Sequence, residues 1–240
     1  MTTLIDSMVE RAKADKKTIV LPEGHDDRIL AAAEETLKQG IANLVILGDA
    51  EEINAKGYNL EGAEIINPAT SDKVDEFASL LFELRKKKGM TEEEARELVT
   101  KDNIYFATMM VKTGQCDGLV GGASCATVKI LSPALKVLKT APGAPMVSSL
   151  FLMEVPNCDL GENGVFAFAD CALEIQPTAE KLAHIANLTN QSFKRLLGKE
   201  ARIALLSHSS HGSAKNDDAQ KVVDAMTYIK ENYPDQFIIA

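Results

Sequence analysis

The chain has 240 residues, 45% of them hydrophobic, and 26 lysines and arginines against 35 aspartates and glutamates, a formal net charge of -9. That apolar content buries a core large enough for one large domain or two smaller ones and excludes a disordered chain. The acidic balance excludes a general nucleic-acid binder, which carries a pI above about 9 or a clustered basic face, so an anionic ligand has to be met by a local arrangement.

Apolar runs of strand length alternate with longer segments of helical period, which reads as α/β with mostly parallel sheets flanked by helices. Leu4, Ile5, Met8, Val9 and Ala12 form one stripe of a first helix; TIVLPEG follows as a strand, then DDRILAAAEETLKQG as a helix with Asp26 as N-cap and Gly40 as C-terminal stop. NLVILGD is the next strand. After a short helical piece and the strand AEIINP, two charged helical segments run from about Ser71 to Gly114, the second opening at Thr91 with Glu94 three residues on, as in a capping box. CDGLVGGA is a strand that leaves through glycines into a helix. MVSSLFLMEV and GVFAFADCAL are neighbouring strands joined through the turn-rich NCDLGEN. The helix PTAEKLAHIANLTNQSFKRLLG leads to the strand RIALLSH, the helix NDDAQKVVDAMTYIKENY and the start of one more strand, QFIIA. Two prolines and a glycine in KTAPGAP separate a helix from a strand, which divides the chain into a first α/β domain, 1–142, and a second, 143–240. The strand that has barely begun at Ala240 reads as a cut inside a longer sequence, leaving the second domain incomplete.

No stretch has the uninterrupted apolar length of a membrane span, and Asp6 stands where a signal peptide needs a hydrophobic centre. Cys116, Cys125, Cys158 and Cys171 match neither CxxC nor zinc-ligand spacing and read as reduced thiols, so the expected location is cytoplasmic and no metal site is expected.

Two strand-to-helix junctions carry the chemistry. In GLVGGASCATVKILSPALKVLK the glycines free backbone N–H groups at the positive end of a helix dipole, a setting that favours phosphate or carboxylate, and Ser124 and Thr127 add hydroxyls. The spacing is neither the dinucleotide fingerprint nor the triphosphate loop nor a hydrolase elbow, and a tight turn with no ligand stays open beside the binding reading. In LLSHSSHGSAKNDDA, Ser207, Ser209, Ser210, Gly212, Ser213 and Lys215 offer a second set of donors. His208 and His211 lack a third ligand for a metal. LPEGHDDR brings Glu23, His25, Asp26, Asp27 and Arg28 beyond the end of the first strand, where ligands of open parallel sheets tend to lie, or else only caps a helix. Asp170 at the end of VFAFAD is either a capped turn or a catalytic acid. Arg85 in ELRKKKG by itself reads as a solvated cation at a helix end.

LPEGHDDR, ELRKKKG, CDGLVGGA, SPALKVLKT, FADCAL and LSHSSHGSAK, in that order over nearly the whole chain, together resemble the phosphate acetyl/butyryl transferase family. The resemblance implies a two-domain fold similar to isocitrate and isopropylmalate dehydrogenases, a homodimer, and the interconversion of acetyl phosphate plus coenzyme A with acetyl-CoA plus phosphate. Coenzyme A is then a substrate, with no separate cofactor, and there is no membrane or nucleic-acid partner. A base would remove the thiol proton, and fixed donors would stabilise the oxyanion while others grip phosphate. Arg85 matches the family's arginine implicated in coenzyme A or phosphate binding. Ser132 stands where the family has an arginine, with Lys129 three residues earlier as its substitute; Cys125 stands where the family has a histidine, and Glu174 to Pro177 read EIQP in place of Asn-Pro-Asn-Pro. The family's thiol-activating aspartate belongs to a C-terminal segment that this chain does not contain, and no catalytic base is assigned. Two other readings stay open: a noncatalytic acetyl-CoA-sensing and assembly module of the same fold, as in malic enzyme fusions, and a nicotinamide-dependent decarboxylating dehydrogenase, which the lack of a metal-binding aspartate cluster disfavours.

Overall fold

The computed structural model describes residues 4–208, 213–234 and 237–239. The chain divides into two compact units, Met1–Lys139 and Thr140–Ala240.

In the first unit, α1 (Leu4–Ala14) leads to β1 (Thr18–Leu21), α2 (Asp27–Gln39), β2 (Asn43–Leu47), α3 (Ala50–Ala55), β3 (Glu64–Ile66), α4 (Val74–Arg85), α5 (Glu92–Lys101), α6 (Asn103–Lys112), β4 (Gly118–Leu119) and α7 (Thr127–Val137). The four strands pair in parallel in the order β3-β2-β1-β4. Side chains alternate across a strand, and here both faces are covered, which is why TIVL and NLVIL are continuous apolar runs. Leu21, Leu44 and Ile46 pack with Leu30, Ala33, Ile53 and Leu60 on one side. Val20, Val45 and Leu47 pack with Phe77, Leu81, Val99, Phe106 and Met109 on the other, where Phe77 and Phe106 meet edge to face at 5.0 Å.

The helix ends follow the sequence signals closely. Asp26 caps α2 through the Arg28 amide, Gly40 closes it in the left-handed region, and Thr91 and Glu94 form both halves of a capping box on α5. One boundary differs. The second charged segment is two helices, because Asp102 is extended and its carboxylate accepts from the amides of Ile104 and Tyr105, starting α6 afresh.

In the second unit, β5 (Leu150–Glu154) and β6 (Val165–Ala169) pair antiparallel through the helical turn α8 (Leu160–Asn163). The long α9 (Ala179–Leu197), capped by Thr178, is followed by β7 (Arg202–Ala204), α10 (Asp217–Asn232), capped by Asn216, and β8 (Phe237–Ile239), which pairs in parallel with β7. Ala183, Ala186, Leu205, Val222, Ala225 and Ile229 form its core. The fold is thus mixed α/β, with helices flanking two parallel sheets and one antiparallel hairpin. Among the described residues, no helix is long and apolar enough to cross a membrane.

Candidate functional site

Strand order reverses at β1. The chain runs from β1 to β2 to β3 on one side and returns to β4 on the other. In an open parallel sheet that reversal leaves a crevice beyond the carboxyl ends of the two strands that flank it. The loops that leave β1 and β4 are LPEGHDDR and GLVGGASCA, so the topology brings together two motifs a hundred residues apart.

Glu23 joins them. Its Oε2 accepts from the amides of Gly122 at 2.7 Å and Ala123 at 2.9 Å, and its Oε1 accepts from the amide of Ser124 at 2.8 Å and the Ser124 hydroxyl at 2.7 Å. Glu23 is only 3% exposed. Burial opposes its ionisation, but the hydrogen bonds from Ser124, Ala123 and Gly122 outweigh it and hold the carboxyl at about 2. The anion for which the glycine gap is shaped is therefore a side chain of the same unit. Sequence reasoning placed both halves and missed their union. The one available signal was an acid closing an apolar strand opposite a loop of free amides.

Backbone proximity sets this geometry. The Gly24 amide donates to the Leu47 carbonyl at 3.2 Å, and a Cβ at Gly24 would lie 2.6 Å from that oxygen. Asn103 Nδ2 donates to the Pro22 carbonyl at 2.9 Å, tying the start of α6 to the same loop. Arg28 donates to both Asp26 oxygens and to the Ala123 carbonyl, the last at 2.5 Å. The Arg28 hydrogen bonds outweigh burial and hold Asp26 at about 2. Lys56 donates to the His25 carbonyl at 2.7 Å and to Asp27 at 3.0 Å, and His25 Nε2 lies 3.1 Å from Ser124 Oγ.

Beyond Ser124 the turn is open. Ala126 stands at the N-cap of α7 and has no capping side chain. Among the described residues the amides of Thr127 and Val128 have no acceptor. The Thr127 hydroxyl and Lys129 are exposed beside them. Cys125 is half-buried, and burial together with the Glu23 charge pushes its thiol up, against the opposing pull of Lys129; it is not an ionised nucleophile. Ser132 is half-buried within α7, directly before Pro133. The Ser124 hydroxyl donates to Glu23.

Arg85, the last residue of α4, is half-buried, and among the described residues its guanidinium meets no carboxylate or other acceptor. In the second unit Ser207 is exposed after β7, and Ser213 and Lys215 are exposed on the approach to α10. His208 Nε2 lies 2.8 Å from Asn216 Nδ2. Ser209, Ser210, His211 and Gly212 lie outside the described residues. Asp170 is a capped turn, as one of its two sequence readings has it: it accepts from Ser149, Ala172 and Leu173.

The comparisons with known proteins agree with this architecture. The model of the phosphate acetyl/butaryl transferase family matches residues 3–239. A phosphate acetyltransferase of Thermoanaerobacterium thermosaccharolyticum is 53% identical over 235 residues, covering 97% of this chain and 71% of its own, and one of Acetivibrio thermocellus is 47% identical over 234 residues, covering 97% and 70%. Among solved structures, a phosphotransacetylase from Streptococcus pyogenes matches 98% of this chain and 71% of its own with a TM-score of 0.89 at 34% identity. A EutD phosphotransacetylase from Staphylococcus aureus matches 99% and 72% with a TM-score of 0.85 at 33% identity. With its motifs in order, its strand reversal framed by two of them and a match over residues 3–239, the chain belongs to the phosphate acetyl/butaryl transferase family.

Proposed function

We propose that the chain moves an acetyl group between acetyl phosphate and coenzyme A. The observation that carries this reading is the uncapped start of α7 at the reversal point, in a chain 53% identical over 235 residues to a phosphate acetyltransferase. Because Glu23 fills the nest at Gly122 to Ser124, the donors left for a phosphoryl group are the amides of Thr127 and Val128, the Thr127 hydroxyl and Lys129. Lys129 takes the part that Ser132 has lost, as a point charge without arginine's fork. Arg85 meets coenzyme A or phosphate. Cys125 stands just before the start of α7 and Ser132 farther along it, and Ser207, Ser209, Ser210, Gly212, Ser213 and Lys215 form the donor set of the second domain.

The reading carries its finer parts with it: domains 1–142 and 143–240 in the arrangement of the isocitrate and isopropylmalate dehydrogenases, a cytoplasmic location and a homodimer. An open apolar face on the β5–β6 hairpin, where Phe151, Met153 and Phe168 are exposed, favours a protein partner there. Thioester formation from coenzyme A with acetyl phosphate, compared with butyryl phosphate, tests the function directly. Ser132 in place of the family's arginine favours a second reading, a noncatalytic acetyl-CoA-sensing module; tight acetyl-CoA binding without thioester formation would decide for it.

A further inference from the structure

Arg28 is the second residue of α2, where a cation opposes the positive end of the helix dipole. Its guanidinium is committed on two sides. Nε donates to Asp26 Oδ1 at 3.0 Å, and the two hydrogens of Nη2 go to Asp26 Oδ2 at 2.6 Å and to the Ala123 carbonyl at 2.5 Å. The pairing with Asp26 offsets the charge within α2. The bond to Ala123 reaches across 95 residues and does nothing for that helix.

Ala123 is held from the other side as well. Its carbonyl and the amide of Ser124 belong to one planar peptide unit and point in opposite directions. The carbonyl accepts from Arg28, and the amide donates to Glu23 Oε1 at 2.8 Å. Rotation of that plane breaks both bonds at once. The residues before it are hemmed in: Gly122 has a φ of +112°, and a Cβ at Gly121 would meet Pro22 at 3.0 Å and Ile130 of α7 at 3.1 Å. Beyond it, Ala126 opens α7 without a capping side chain. An acid and a base from the segment after β1 therefore grip opposite ends of one peptide close to the start of α7.

Resting on the acyl-transfer reading, we propose that Arg28 is a positioning residue for that reaction: with Glu23 it locks the Ala123–Ser124 peptide, and so fixes the direction in which the chain enters α7 and presents the Thr127 and Val128 amides. Arg28 touches no substrate in this role. The planar fork is what the lock requires. A lysine, as one point donor, reaches Asp26 or the Ala123 carbonyl but cannot hold both in one plane. Lys56 ties the same loop differently, through the His25 carbonyl and Asp27, and among the described residues no hydrogen bond joins it to the 121–124 turn.

The test compares Arg28→Gln, Arg28→Lys and, as a control for general loosening of the loop, Lys56→Gln, all in the full chain. Amide hydrogen exchange at Ser124 should quicken about 10-fold or more in Arg28→Gln, less in Arg28→Lys, and stay as in the unmodified chain in Lys56→Gln. Titration with inorganic phosphate should shift the Thr127 and Val128 amide resonances of the unmodified chain, and Arg28→Gln should weaken phosphate affinity about 10-fold or more. In turnover, Arg28→Gln should raise KM for acetyl phosphate by the same factor while KM for coenzyme A is unchanged. Unchanged Ser124 exchange in Arg28→Gln, an equal increase in Lys56→Gln, or faster exchange with undiminished phosphate affinity overturns the proposal. A lack of any phosphate response at Thr127 and Val128 in the unmodified chain counts against the acyl-transfer reading, while Ser124 exchange still decides for or against the lock.

Discussion

Ser149 donates its hydroxyl proton to Asp170 at 2.6 Å in the second unit, the same bond that Ser124 makes with Glu23 at 2.7 Å in the first. Each unit ties an acid beyond a strand end to a serine and to several amides. Asp170 accepts from the amides of Ser149, Ala172 and Leu173. Burial opposes its charge, and these bonds outweigh it, holding the carboxyl well below the ordinary range. Asp170→Asn replaces one acceptor oxygen by a donor that faces other donors, so we expect a loss of about 2–4 kcal/mol. Hydrogen exchange should localise the loss to the 149–173 segment. Protection there equal to that of the unmodified chain would remove the argument.

Glu23 gives the first unit a definite acid limit. Its folded value of about 2 lies below the ordinary 4.5, so the stability it contributes is complete above about pH 4.5 and is lost as pH falls through about 2. A difference of that size corresponds to about 3 kcal/mol. Glu23→Gln should be less stable than the unmodified chain near neutral pH, and the gap should close on acidification. Urea unfolding of both proteins at several pH values checks this; a gap that stays constant down to about pH 2 would show that the carboxylate's charge is irrelevant.

Gly24 is where the site depends on the absence of a side chain. A Cβ there would lie 2.6 Å from the Leu47 carbonyl, 2.8 Å from Ile53 Cδ1 and 2.9 Å from Ile46 Cγ2, and the carbonyl cannot swing away without losing its bond from the Gly24 amide. Gly24→Ala should cost about 1–3 kcal/mol by overpacking and shift Glu23 out of the nest. Chemical denaturation gives the first quantity, and loss of the acid-dependent component described above gives the second.

Much of this fold was legible because its signals are local. Asp26, Gly40 and the Thr91–Glu94 pair end helices through contacts within a few residues, and the unbroken apolar run NLVIL announces a strand covered on both faces. The break at Asp102 was hidden because an aspartate followed by helix-forming residues fits a helix interior as well as a cap. The site was harder for the opposite reason. Glu23 and Ser124 stood out separately, as an acid at a strand end and a hydroxyl after glycines, but their bond spans a hundred residues and exists only because β4 pairs beside β1. The glycine gap asked for an anion; nothing local said that the anion was internal.

Arg85 provides the sharpest separation between binding and stability. It ends α4 half-buried and, among the described residues, with no acceptor, while the neighbouring Lys86 is paired with Glu83. Removing a guanidinium that holds nothing in the folded chain should change stability by less than about 0.5 kcal/mol. If it grips an anionic group of a substrate, Arg85→Ala should raise KM for that substrate about 10- to 100-fold, the equivalent of one charge-assisted hydrogen bond or a fork of two. Arg85→Lys keeps the charge and loses the planar fork, so it should recover only part of that loss. Steady-state kinetics with acetyl phosphate and coenzyme A varied separately, alongside thermal unfolding of each variant, distinguishes the cases. Unaltered KM values for both substrates would return Arg85 to the solvated helix end that its lysine-rich surroundings suggest.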